Sequence, residues 1–135
     1  MISLLTLLAA GAAAPAPDML VGRWQTEARH GVVEITRCGP SICGTLIESD
    51  GLRAEPHLRD VKNKDARLRD RELRGLRILQ GFTWKSDAWS GGTIYNAEDG
   101  GTYSATVTPV DANRLKLKGC IVWPLCKTQT WTRIR

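Results

Sequence analysis

Two histidines, four cysteines, a run of arginines and five tryptophans are the residues with chemical reach in this chain, and their spacing limits what they can do. His30 stands beside Gly31 in a turn, and His57 lies in a stretch of dense charge. Neither has carboxylates or cysteines at metal-ligand spacing, no serine sits in a nucleophile-elbow context, and no glycine-rich loop leads from a strand into a helix to cradle phosphate. Asp60 and the Glu98-Asp99 pair are the candidate acids. A hairpin tip and a solvated excursion are poor places to raise a carboxyl pKa, because burial is what raises it. The expectation is a protein without catalysis, without a cofactor and without a bound metal.

The cysteines point to a compartment. Cys38, Cys43, Cys120 and Cys126 allow three pairings. Cys38-Gly39-Pro40-Ser41-Ile42-Cys43 reads as a tight turn with facing ends, and Cys120 to Cys126 as a slightly longer loop. Two local bridges are the favoured pairing, each stabilising by about 2 kcal/mol or less because a small loop loses little entropy on closure. The rival is a zinc site, but its ligand pairs prefer shorter spacers. Bridges imply an oxidising environment. The uncharged apolar run Ile2–Ala14 has the length of a signal-peptide core and is too short to span a bilayer. Residues 1–17 are therefore read as a signal peptide with a short Pro/Ala linker, and 18–135 as one domain. The competing reading of the run is a buried apolar helix. No transmembrane segment is expected after cleavage, and the address is expected to lie outside the cytoplasm.

Two further groups could bind something. Between Arg53 and Arg77 stand seven arginines and two lysines against five acids, in a chain of net charge +5. Arg67, Arg69 and Arg71 are a candidate basic rim for an anionic envelope component, since the guanidinium fork holds two oxygens at once. The alternatives are a self-paired surface, or arginines that pin the excursion through backbone carbonyls or Asp60. Nucleic acid is not expected of an exported chain. The aromatics Trp24, Phe82, Trp84, Tyr95, Tyr103 and Trp131, with Gln80 and Arg133, are the candidate ligand-binding set. The same rings, with Trp89 and Trp123, could instead fill a core.

Strand patterns must position these groups. With 135 residues, 42% hydrophobic and 24% charged, the chain is one domain, neither disordered nor membrane-embedded. Segments Leu20–Ala28, Val32–Cys38 and Cys43–Glu48 read as strands. Residues 49–75 lack alternation and read as an excursion with one or two helical turns, Asn63 capping one of them, with Asp65–Arg69 and Asp70–Arg74 at helical spacing. Leu76, Ile78, Gln80, Phe82 and Trp84 then alternate with Arg77, Leu79, Gly81 and Thr83, which puts the first set inside. Asp99-Gly100 reads as a two-residue hairpin turn. Tyr103, Ala105 and Val107 alternate with threonine and serine, and Gln129, Trp131 and Arg133 with threonine. About eight strands joined by short turns predict an all-β, eight-stranded, antiparallel up-and-down barrel with one short helical excursion between strands 3 and 4. Such a barrel is filled by side chains or holds one small ligand.

Five separated clusters carry a resemblance. They are Gly22-Arg23-Trp24; Cys38-Gly39 through Cys43-Gly44; Asn63 with Leu68-Arg69-Asp70-Arg71 and Gly75; Gly91-Gly92-Thr93-Ile94-Tyr95 with Glu98-Asp99-Gly100 and Tyr103; and Gly119-Cys120 through Cys126 to Thr128–Arg133. In this order they resemble the bacterial family filed as domain of unknown function 2147. Lys64, Glu72 and Ala97 stand where that family would have proline, and Gly101 where it would have lysine. The resemblance implies a small secreted protein of a Gram-negative bacterium, in the periplasm or the medium, with no assigned activity, and it brings no catalytic residues. Gly22-Arg23-Trp24 with Arg133 is also similar to the lipocalin pattern, in which a late arginine packs over an early tryptophan and joins the first strand to the last. A cation–π contact of that kind contributes roughly 0.5–2 kcal/mol. The expected function is binding of a small amphiphilic or anionic ligand in the periplasm. The alternative is an envelope module that docks an anionic partner through its basic excursion.

Overall fold

A computed structural model describes residues 14–122 and 124–135. The core of the expected signal peptide, up to residue 13, and Trp123 lie outside the described residues. Nine β-segments follow a single-turn 3-10 helix, Pro17–Leu20: β1 (Gly22–Gln25), β2 (Val32–Cys38), β3 (Ser41–Glu48), β4 (Arg77–Gln80), β5 (Thr83–Lys85), β6 (Ala88–Asn96), β7 (Gly101–Asp111), β8 (Arg114–Val122) and β9 (Leu125–Ile134). All pairings between them are antiparallel, in the order β4-β3-β2-β1-β9-β8-β7-β6-β5, and β4 also pairs with β6. That last pairing closes the ring. β4 and β5 both run along β6, so they are one stave interrupted at Gly81 and Phe82, and the barrel has the expected eight staves.

The interruption overturns one expected face. Leu79, not Gln80, is fully buried, and Gln80 is exposed on the outer side near the Cys38–Cys43 bridge. Leu79 is opposite Gly44, whose missing side chain leaves the space that Leu79 occupies. Gly81, at φ +80°, then resets the phase, and Phe82 turns inward over Gly92.

The chain's ends form the seam. Trp24 of β1 pairs with Arg133 of β9, and the Arg133 guanidinium stacks 4.4 Å above the Trp24 ring. Arg133 also donates through Nη1 to Val21 O (2.9 Å) and through its remaining nitrogens to Met19 O and Ala112 O. Trp24 Nε1 donates to Leu20 O and Trp89 Nε1 to Pro17 O, so the 3-10 turn plugs this end. Trp24, Trp89, Leu20 and Leu115 are fully buried around it. Both local disulfides are present, Cys38–Cys43 and Cys120–Cys126.

The excursion departs from its expected form. A five-residue helix, α1 (Asp50–Ala54), comes first, with Ser49 Oγ accepting from Leu52 N as its cap. Only a 3-10 turn, Ala66–Leu68, follows, and Asp65 rather than Asn63 caps it. Without an α-helix over 65–74 the expected i,i+4 pairs do not meet: Asp65 pairs with Arg67, and Arg74 reaches Glu48. The segment instead folds back on itself through Leu73 N donating to Leu58 O and Asp60 N donating to Arg71 O.

The turn after β6 is also longer than expected. Gly100 N donates to Asn96 O across a four-residue loop, and Gly100 lies at φ +72°. A Cβ at Gly100 would collide with Lys62 O, so the excursion rests directly on this loop.

Candidate functional site: an open cavity and the carboxylate beside it

Filling ends partway along the barrel. Beyond Trp131 lies a cavity of about 1120 Å³, open to solvent at the end opposite the Trp24–Arg133 plug. The inward positions of β2, β3, β6 and β8 supply apolar walls: Val33, Leu46, Ile94 and Leu117, with Trp131 and Gln129 from β9. Glycine keeps part of the volume free. At Gly119, which lines the cavity, a Cβ would make only ordinary contact with Ile94 Cγ2 at 3.6 Å. The excursion contributes Leu58, Val61 and Leu73 to the opening. Polar groups gather there too, among them Arg59, Lys62, Tyr95, Glu98, Tyr103 and Lys127.

One buried carboxylate holds the excursion in place. The Asp60 side chain is wholly buried. It accepts from Asn63 Nδ2 (2.9 Å), Arg71 Nε (2.8 Å) and the Tyr95 hydroxyl of β6. Burial pushes its pKa up, but the three donors and the Arg71 charge outweigh burial and hold it below the ordinary aspartate value. Burial, together with the same carboxylate, pushes the Tyr95 hydroxyl up to about 12. Arg71 also lies over the Tyr95 ring at 5.3 Å. A half-exposed counterpart stands at the β6–β7 loop, where the Tyr103 hydroxyl donates to Asp99.

The candidate residues therefore separate. Tyr95, Tyr103 and Trp131 line the cavity. Trp24 and Arg133 are at the plugged end, with the guanidinium occupied by carbonyls. Phe82 packs over Gly92, Trp84 sits edge-on to Trp89 at 5.4 Å, and Gln80 is outside. The arginines of the basic rim are occupied within the excursion: Arg67 on Asp65, Arg69 on Asn63 O at 2.8 Å, Arg71 on Asp60. Of the readings open for them, pinning is what the contacts support for Arg69 and Arg71. His30 and His57 lie on the surface beside Asp50 and Glu72. Among the described residues no three His, Cys, Asp or Glu side chains gather as metal ligands would.

Leu46, Ile94, Leu117 and Gln129 were not among the candidates. Leu117 and Gln129 carry a usable signal, since each shares the alternation phase of a buried neighbour, Leu115 and Trp131. Leu58, Val61 and Lys62 have no such signal, because nothing periodic places an irregular segment over a barrel mouth.

A closed antiparallel barrel of eight staves, plugged at one end by arginine over tryptophan and hollow at the other, is a lipocalin-like fold. The chain is similar to the structure titled "Protein HP1028 from the human pathogen Helicobacter pylori belongs to the lipocalin family", with a TM-score of 0.77 and 24% identity over 86% of this chain and 83% of that one. At family level, the chain belongs to the group described as "Uncharacterized protein conserved in bacteria (DUF2147)", which matches residues 22–133. No curated protein matches the chain.

Proposed function

We propose that this chain is an exported binding protein for a small amphiphile, acting in the periplasm or outside the cell of a Gram-negative bacterium and performing no chemistry on its ligand. The cavity carries this reading. Its volume of about 1120 Å³ exceeds the roughly 300 Å³ that a small-molecule site requires. Its walls suit an acyl chain or an aromatic skeleton, and Lys62 and Lys127 at the opening suit an anionic head. The arginines first considered for that head are occupied elsewhere, and Arg59 at the opening likewise donates to Asp70 O at 2.7 Å, so Lys62 and Lys127 replace them in the proposal. The two disulfides support an oxidising address.

Gly119→Leu tests the reading cleanly. The new side chain would enter the cavity from an extended position in β8 without a clash at its Cβ. The fold should hold or gain stability, since glycine weakens a strand interior by roughly 0.5–1 kcal/mol. Native mass spectrometry of the protein from its own periplasm should show a bound small molecule, which Gly119→Leu loses. Titration with a fluorescent fatty acid should show affinity reduced about tenfold or more. Equal binding by both proteins would refute the cavity as the site.

A further inference from the structure

Among the described residues the most exposed large apolar side chains gather where the cavity opens. Ile121, Val122 and Leu125 are 70%, 60% and 65% exposed at the β8–β9 hairpin tip, and Val61 of the excursion is 64% exposed. Ile121, Leu125, Val61 and Pro124 all line the same opening, so two segments far apart in sequence place apolar groups on one rim. The tip sequence, Ile121-Val122-Trp123-Pro124-Leu125, has no charge, and the Cys120–Cys126 bridge ties its base. A hairpin whose base is tied while it presents apolar residues to water is not explained by core packing, and exposed apolar side chains gathered around one opening mark an interaction surface.

The charge around the tip identifies the partner. Lys62 and Lys127 line the opening beside the apolar residues, and Lys118 flanks the tip on β8. Among the described residues none of these lysines is held in an ion pair. The rim's acids are engaged: Glu98 pairs with Arg29 at 3.1 Å, and Asp99 accepts from Tyr103 and Gly101 N. Four side chains of this size expose only a few hundred Å², against roughly 800 Å² per partner in a stable protein interface. Apolar residues flanked by free lysines suit a lipid surface, where the apolar part enters the boundary of headgroups and acyl chains and the lysines meet phosphate.

We propose that this rim docks on an anionic phospholipid bilayer, with the hairpin tip inserted and the cavity opening toward the membrane. The proposal goes beyond ligand binding and rests on the rim, not on what the cavity holds. It is tested by flotation with phosphatidylcholine vesicles made with and without phosphatidylglycerol. The protein should float with the anionic vesicles and come off as salt rises. Ile121→Glu with Leu125→Glu should lower partitioning about tenfold or more. Lys62→Glu and Lys127→Glu should each lower it at least about fivefold, the equivalent of one lysine near an anionic surface. Val110→Glu, at the plugged end of the barrel, should float like the parent. All of these positions are exposed, so thermal melts should match the parent, and Leu125→Ser serves if the double variant does not fold. Gly119→Leu should float normally even where it loses ligand, which separates the two proposals. The docking proposal is overturned if the parent protein ignores anionic vesicles, if the rim variants float undiminished, or if the rim proves to join two copies in solution.

Discussion

Asp60→Asn isolates what holds the excursion over the cavity. The asparagine keeps the shape of the side chain and removes its charge, leaving Arg71 and the Tyr95 hydroxyl facing an amide at a fully buried position. Removing one partner of a buried ion pair typically costs 3–5 kcal/mol. The Arg71 side chain keeps about a third of its surface in water (34%), which tempers the loss. The expected destabilisation is about 2–4 kcal/mol, or roughly 8–15 °C in melting temperature for a domain of this size. Thermal melts by circular dichroism at neutral pH read it directly. The pH dependence gives an independent check. Asp60 is held below its unfolded value, so its contribution is complete above about pH 4 and drains away as the pH falls through its lower, folded value. Parent and variant should therefore differ most near neutrality, and the gap should shrink as the pH falls below about 4 and close as it passes through the folded value. The double replacement Asp60→Leu with Arg71→Met should recover part of the loss, since an apolar pair replaces a pair that had to be desolvated. Hydrogen exchange should quicken between residues 58 and 73 in the single variant, where Leu73 N and Asp60 N close the fold-back. An Asp60→Asn protein that melts within about 1 kcal/mol of the parent, or that keeps the same gap from pH 7 to pH 3, would refute the anchoring role.

Three further outcomes follow from the contacts. Gly100→Ala places a Cβ against Lys62 O at a positive φ and should destabilise by about 2–4 kcal/mol in urea melts; an unchanged midpoint would mean the excursion does not rest on this loop. Arg133→Met removes donors to three carbonyls and the stack on Trp24, and should cost about 3–5 kcal/mol, with Arg133→Lys recovering only part because an ammonium lacks the planar fork; equal stability of the lysine variant would count against the clamp. Tyr103→Phe leaves Tyr95 as the single tyrosine, and its ultraviolet titration should centre at about 12. Because the folded value is the raised one, the stability tied to this proton is present below about pH 10 and is lost as the pH climbs through 12. A midpoint at the ordinary value near 10 would show the Asp60 contact absent in solution.

How much was legible depends on whether a residue's neighbours are set locally. Tyr103, Ala105 and Val107 announce their faces by alternation, as do Leu115 and Leu117, because a strand has period two whatever it pairs with. The two cysteine pairs are legible because each closes a short turn on itself. Gly22-Arg23-Trp24 and Arg133 point to a seam that the barrel forms. Gln80 was misplaced because its stave breaks at Gly81, and the side chain that enters there is chosen by Gly44 on another strand. Asp60 was read as solvated because its partners stand at a distance in sequence, Arg71 within the excursion and Tyr95 on β6.

Sequence alone, then, determined the number of staves, their antiparallel order and the local bridges, since each follows from short-range periodicity or turn chemistry, while the residues that meet at the closing seam were legible only through the likeness to the lipocalin pattern. Tertiary structure alone decided that one end is solid and the other hollow, that the charged excursion lies at the hollow end and lends it part of its rim, and that among the described residues Lys62 and Lys127 at the opening hold no ion pair. A void is the difference between the space a closed ring encloses and the summed volume of side chains from every stave. No single segment carries that difference, so it exists only once the ring has closed.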